Sequence, residues 1–171
     1  MREQRHNRVV LGLLALLPLA TLGASAPMPS LGQLAERYRT PQAVATFLSH
    51  EFTYQTDEAL FGTLEHWQQP EEFLARRAGD CEDYALLARE LLRRNWIQAE
   101  VLSVVKADGT GHTVCVFRDV HGRYQIIDEG RLYQVSAASL KDVASKLCPD
   151  WRQAGLVEAD GARGRFVQRF D

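Results

Sequence analysis

The apolar period of this chain changes once, near Trp96, and that change limits the architectures open to it. Upstream, apolar residues recur at three and four. Val44, Phe47 and Leu48 follow the capping pair Thr40-Pro41, Phe73 and Leu74 follow Pro70, and Tyr84, Leu87, Ala88, Leu91 and Leu92 lie between Cys81 and Asn95. Such spacing gives each segment one helical face that needs a core, and Gly79 is placed to end the second helix. Downstream, Glu100 to Lys106, His112 to Arg118 and Arg123 to Asp128 are rich in β-branched residues, with Asp108-Gly109 and His121-Gly122 as turns between them. This pattern predicts an antiparallel meander. Ser136 to Leu147 reads as a further helix, with Ser139 and Asp142 at capping-box spacing, and Phe166 to Phe170 as a last short strand. Helices first and a sheet afterwards predict an α+β domain.

A length of 171 residues fits one domain, and 20 basic against 22 acidic residues exclude a sequence-independent nucleic-acid binder. The first 26 residues read as a signal peptide rather than as part of the fold. Arg2, Arg5 and Arg8 precede the apolar run Val9 to Leu22, and Ala24-Ser25-Ala26 offers the small residues of a cleavage site. That run is short for a hydrocarbon core of roughly 30 Å, although an uncleaved anchor is the rival reading. The expectation is export to the periplasm, with residues 27–171 as the folded domain. Three cysteines, Cys81, Cys115 and Cys148, leave an odd thiol in an exported chain. Cys115 and Cys148 are either a disulfide or two buried thiols, and spacing does not decide between them.

Gly79-Asp80-Cys81-Glu82-Asp83-Tyr84 carries the chemistry. A cysteine in the first turn of a helix meets unpaired N–H groups, which favour the thiolate and can also hold an oxyanion. Gly79 allows a substrate backbone to approach. Read blandly, Cys81 is a buried thiol and Asp80 and Asp83 are helix caps. His112 opens one predicted strand and Asp128 closes the next, so a turn centred on Val120 brings them together within a residue or two. That pairing would hold an imidazole in one tautomer. His6, His50, His66 and His121 lack such a partner. Asp80, Glu82 and Asp83 oppose ionisation of the neighbouring thiol unless they turn away or a hard cation such as Ca²⁺ neutralises them. No zinc-ligand spacing or Gly-rich phosphate loop is present.

His66 to Leu74 (HWQQPEEFL), Gly79 to Ala85 (GDCEDYA), Tyr54 with Asp57, His112-Thr113-Val114 and Ile127-Asp128 together resemble the bacterial transglutaminase-like cysteine proteinases. The resemblance runs from about Phe47 to Asp128. It implies a papain-like core and a periplasmic thiol protease with Cys81, His112 and Asp128 as its triad. It also implies Asp80, Glu82 and Asp83 as calcium ligands. The partners it implies are a protein or peptide substrate, a surface adhesin retained in biofilms among them, and an inner-membrane receptor. Glu129-Gly130 departs from the Asn and apolar residue usual after the Asp in the adhesin-cleaving branch, and the chain is shorter than those members. Cys81 and its backbone N–H are expected to form a thioester and hold its oxyanions, with Tyr54 or Trp67 as second donor and core packing as the rival role for Trp67. A transglutaminase or deamidase acting on glutamine side chains shares the triad, and a non-catalytic, cation-dependent binding module shares the carboxylates.

Overall fold

The computed structural model describes residues 28–170, so the expected signal peptide lies outside the described residues. No described helix is long and apolar enough to cross a membrane. The described chain begins with helices α1 (Leu31–Arg37) and α2 (Pro41–Glu51), capped by the side chains of Ser30 and Thr40. Two residues of strand β1 (Thr53–Tyr54), the short helix α3 (Asp57–Phe61), α4 (Pro70–Arg76) and the two-residue strand β2 (Ala78–Gly79) lead into α5 (Cys81–Arg94). Strands β3 (Ala99–Lys106), β4 (Gly111–Arg118), β5 (Tyr124–Asp128) and β6 (Arg131–Ala137) follow, then α6 (Leu140–Leu147), β7 (Trp151–Asp160) and β8 (Arg163–Phe170).

The order β6-β5-β4-β3-β7-β8 makes one antiparallel sheet of six strands, with β1 and β2 as a separate parallel pair. Helix α5 is the centre of the fold. Leu87, Ala88, Leu91 and Leu92 are fully buried, and the helix packs on β3, β4 and β5 on one side and on α1, α2 and α4 on the other. A helix buried nearly all round is held by packing, not by propensity. Truncating Leu87 or Leu91 to alanine removes about 2–5 kcal/mol. The opposite face of the sheet carries Leu102, Val104, Val114, Val116 and Ile126 under α6, with Val143 and Ala144 turned inward.

The α+β expectation holds, and four local expectations are corrected. The sheet is twice the size of the expected meander, because β6 extends one edge and the hairpin β7–β8 pairs with β3 at the other side. Ala154, Gly155 and Ala159 give β7 few β-branched residues, so neighbouring strands, not propensity, make it a strand. Helix α6 starts at Leu140, not at Ser136: residues up to Ala137 belong to β6, where the Ser136 N–H donates to Gln125 Oε1. Ser139 caps it through the Asp142 N–H, while the Asp142 carboxylate accepts from Ala138 and so leaves the reciprocal capping box unformed. Gly79 does not end α4. Arg77, at φ 61°, is the left-handed cap, and Gly79 pairs with Tyr54 in the β1–β2 ladder.

All three thiols are free. Cys115 faces the α5 side of the sheet and Cys148 belongs to the α6 side, so the sheet itself separates them. That leaves the pair of buried thiols rather than the disulfide.

Candidate active site

Cys81 is the first residue of α5, with Asp80 as its N-cap. The segment before it is fixed by a buried polar spine. Asp83 Oδ1 accepts the Gln68 backbone N–H at 2.8 Å, and Oδ2 accepts the Gln68 side-chain amide at 2.6 Å and the Asp80 N–H at 3.2 Å. The Arg76 guanidinium donates in turn to Gln68 Oε1 at 3.1 Å. Gln68 and Asp83 are both fully buried. A side chain at Gly79 would run into them, since a Cβ there would overlap the Asp83 carboxylate and lie 2.7 Å from Gln68 Nε2. The expected role of Gly79 in admitting a substrate backbone is therefore filled by this internal contact.

His112 and Asp128 meet, though not by the register expected. The pairs Cys115↔Ile127 and Phe117↔Gln125 centre the hairpin on His121. Continued one step, this register sets Val114 opposite Asp128 and His112 one diagonal away, a separation that long side chains bridge. The bridge is made: His112 Nε2 lies 2.9 Å from Asp128 Oδ1. A carboxylate in this pair accepts the Nε2–H, which leaves Nδ1 with the free lone pair. The same hydrogen bond raises the imidazole above its usual range, outweighing burial. The backbone of Thr113, the next residue on β4, lies close enough to the Cys81 sulfur to favour its thiolate slightly, against the larger opposing effects described next.

The thiol meets strong opposition to ionising. Burial pushes the Cys81 thiol far up, and Glu82 and Asp80 push it further. Its Sγ donates to Glu82 Oε2 at 3.2 Å. Burial likewise raises Glu82, with the neighbouring Asp80 carboxylate adding to the effect, and raises Asp83 to about 7. Asp57 belongs to the same region: its Oδ2 accepts the His66 N–H, and desolvation raises its carboxyl. One oxygen from each of Asp57, Asp80 and Asp83 falls within 4.8 Å of the others, while Glu82 groups with Asp80 and Cys81. Asp57 Oδ1 and Asp80 Oδ1 are buried and have no hydrogen-bond partner among the described residues. Two orphaned carboxylate oxygens in an all-oxygen cluster fit a hard divalent cation.

The two candidates for a second oxyanion donor separate. Trp67 is 4% exposed, its indole N–H is taken by Glu65 Oε1 at 2.7 Å, and its ring lies over Gly164, where a Cβ would overlap it. Trp67 is core. Tyr54 is 48% exposed beside Gly79, and burial, then the charges of Cys81 and Asp80, push its phenol to about 12. It remains a protonated donor within electrostatic reach of the thiol. Two contributors were not legible as such in the sequence. Gln68, adjacent to Trp67, acts on the site through Asp83, a partner 15 positions away. The β7–β8 turn supports the same loop, with the Trp67 N–H donating to the Ala162 carbonyl at 3.0 Å and Gln69 Nε2 reaching the Gly161 carbonyl at 3.4 Å.

A family model described as bacterial transglutaminase-like cysteine proteinase BTLCP matches residues 25–137, well over half of the chain. No curated protein sequence matches it. Among solved structures, the chain is similar to calcium-bound LapG of Legionella pneumophila, at 20% identity and a TM-score of 0.49 over 80% of this chain and 78% of that one. EGTA-treated LapG of the same organism gives 19% identity and a TM-score of 0.48 over 77% and 86%. A candidate cysteine protease from Cytophaga hutchinsonii gives 16% identity and a TM-score of 0.48 over 89% of this chain and 57% of that one.

Proposed function

The chain belongs to the bacterial transglutaminase-like cysteine proteinases and is a cysteine peptidase; on that premise we propose that it hydrolyses peptide bonds through Cys81, His112 and Asp128. The observation that carries this reading is the 2.9 Å contact between His112 Nε2 and Asp128 Oδ1, one residue along β4 from Thr113, whose backbone lies close to the Cys81 sulfur. With Nε2–H held by Asp128, His112 Nδ1 accepts the Cys81 proton and the thiolate attacks the amide carbonyl carbon. The resulting oxyanion accepts from the Cys81 backbone N–H and from the Tyr54 hydroxyl. Collapse of the intermediate expels the amine, which takes the proton from the imidazolium, and leaves a thioester. Water, deprotonated by His112, then attacks the thioester carbonyl, and the thiolate leaves and recovers the proton.

Calcium belongs to the same proposal. Asp57, Asp80 and Asp83 would hold the ion, with Glu82 at its border, and the two orphaned oxygens support that assignment. When bound, the ion supplies positive charge that offsets the carboxylates opposing thiol ionisation. The leader pattern at residues 1–26 supports export to the periplasm. A surface protein of the adhesin class as substrate, and an inner-membrane receptor as partner, rest on the family resemblance.

Incubating the protein with Ca²⁺, a glutamine-containing polypeptide and an amine probe tests the reading. Mass spectrometry should find chain cleavage that is absent with Cys81→Ala. Amine incorporation or glutamine deamidation without cleavage would overturn the protease assignment in favour of acyl transfer at side chains. Full biological activity retained by Cys81→Ala would point instead to a binding module.

A further inference from the structure

Beyond Asp128 the chain reverses into β6 through Glu129 and Gly130, at φ 44° and 78°. A two-residue hairpin loop with both residues in the left-handed region matches the twist of its strands. Gly130 is required there, since a Cβ would meet the Ser49 backbone nitrogen at 2.6 Å and its Cα at 2.9 Å. The turn is thus pressed against the C-terminal end of α2, and its geometry is fixed from outside the hairpin.

Glu129 is a different matter. A non-glycine residue in that region costs on the order of 1 kcal/mol, and among the described residues its carboxylate takes no hydrogen bond or ion pair. It is turned toward the dyad instead. A ring nitrogen of His112 and one oxygen from each of Asp128 and Glu129 lie within 4.8 Å of one another. An imidazole nitrogen with two carboxylate oxygens is a donor set for a borderline divalent ion of the zinc class, unlike the all-oxygen cluster around Asp80. A tetrahedral zinc with bonds near 2.0–2.2 Å needs ligand atoms about 3.3 Å apart. The exposed Glu129 side chain can close the remaining distance, and water can fill the fourth position. The ligands come from β4, the end of β5 and the following turn, so no local spacing in the sequence announces them.

We infer that His112, Asp128 and Glu129 form an inhibitory site for a zinc-class divalent ion that competes with the base function of His112. An ion on Nε2 takes the place of the Nε2–H···Asp128 hydrogen bond. The neutral ring then carries its single proton on Nδ1, the nitrogen that would accept from the thiol, and His112 no longer acts as a base. That the ion inhibits rests on the proposed function; that it binds does not.

Binding is measured by titrating Zn²⁺ calorimetrically into Cys81→Ser protein held in excess Ca²⁺, so that neither the thiol nor the all-oxygen cluster competes. One equivalent is expected to bind. Adding Glu129→Gln should weaken it about 10- to 100-fold, and adding His112→Ala should abolish it. In the intact enzyme, zinc should lower peptide cleavage and a zinc-selective chelator should restore it. Measured against its own zinc-free turnover, the single variant Glu129→Gln should need at least about ten times more zinc for the same fractional loss. Absence of binding to Cys81→Ser, or binding indifferent to Glu129→Gln, would overturn the site. Binding with the expected dependences in a protein that cleaves no peptide even without zinc would uphold the site and remove the proposed function.

Discussion

Gly79→Ala should destabilise the protein by about 3–5 kcal/mol, and the magnitude follows from what surrounds the missing Cβ. The added methyl would overlap the Asp83 carboxylate and lie 2.7 Å from Gln68 Nε2 and 2.9 Å from Asp83 Cγ. Neither side chain has anywhere to move, since both are fully buried. Overpacking of this kind costs about 1–3 kcal/mol by itself. Displacing the carboxylate also breaks at least one of its three hydrogen bonds, each contributing about 1.5–3 kcal/mol where a charged group accepts. A loss of this size lowers the melting temperature by on the order of 10 °C. Urea denaturation followed by tryptophan fluorescence, to which buried Trp67 contributes, gives the free energy directly. Gly32→Ala in α1 is the control: its nearest new neighbour is Ser30 Oγ at an ordinary 3.8 Å, so it should be neutral or stabilising by up to about 1 kcal/mol. Should Gly79→Ala prove no more harmful than Gly32→Ala, the spine from Gln68 to Asp83 that positions Asp80 and Cys81 is wrongly drawn.

Asp128→Asn should reduce kcat about 10³- to 10⁴-fold while the fold survives, because an amide no longer fixes the His112 tautomer; unchanged turnover would remove Asp128 from the site. Asp128 raises His112 above its unfolded value near 6.5, so its stabilising effect is fully present below about pH 6.5 and fades as pH rises through the folded value. The stability difference between wild type and Asp128→Asn should therefore shrink in alkaline solution, and growth of that difference with pH would contradict the sign. Calcium added to chelator-treated protein should raise the melting temperature as RT ln(1 + [L]/Kd), and Asp57→Asn with Asp80→Asn should abolish the gain; a persistent gain would place the ion elsewhere. Thiol titration should find three free thiols after denaturation, with Cys81 alkylated first in the native protein, and early labelling of buried Cys115 would refute the packing of β4 against α5.

The helical stripes before Trp96 and the β-branched runs after it determined the fold class, because both periods are local and each demands one buried face. Chain order likewise marked Cys81, His112 and Asp128 as the residues with chemistry to offer. Strand β7 was not legible. Gly155 and its alanine neighbours pair only because β3 and β8 flank them, and nothing within the segment encodes that. The same holds for Gly79, whose local signal is that of a helix stop and whose neighbours in space are Gln68 and Asp83. Register also escaped the sequence, since a shift of the hairpin centre from Val120 to His121 moves His112 from directly opposite Asp128 to its diagonal. Only the tertiary structure decided how the carboxylates divide, with Asp57 joining Asp80 and Asp83 while Glu82 turns to the thiol. The physical reason is one of range: periodicity and capping act over a few residues, whereas a buried charge is settled by whichever distant groups surround it.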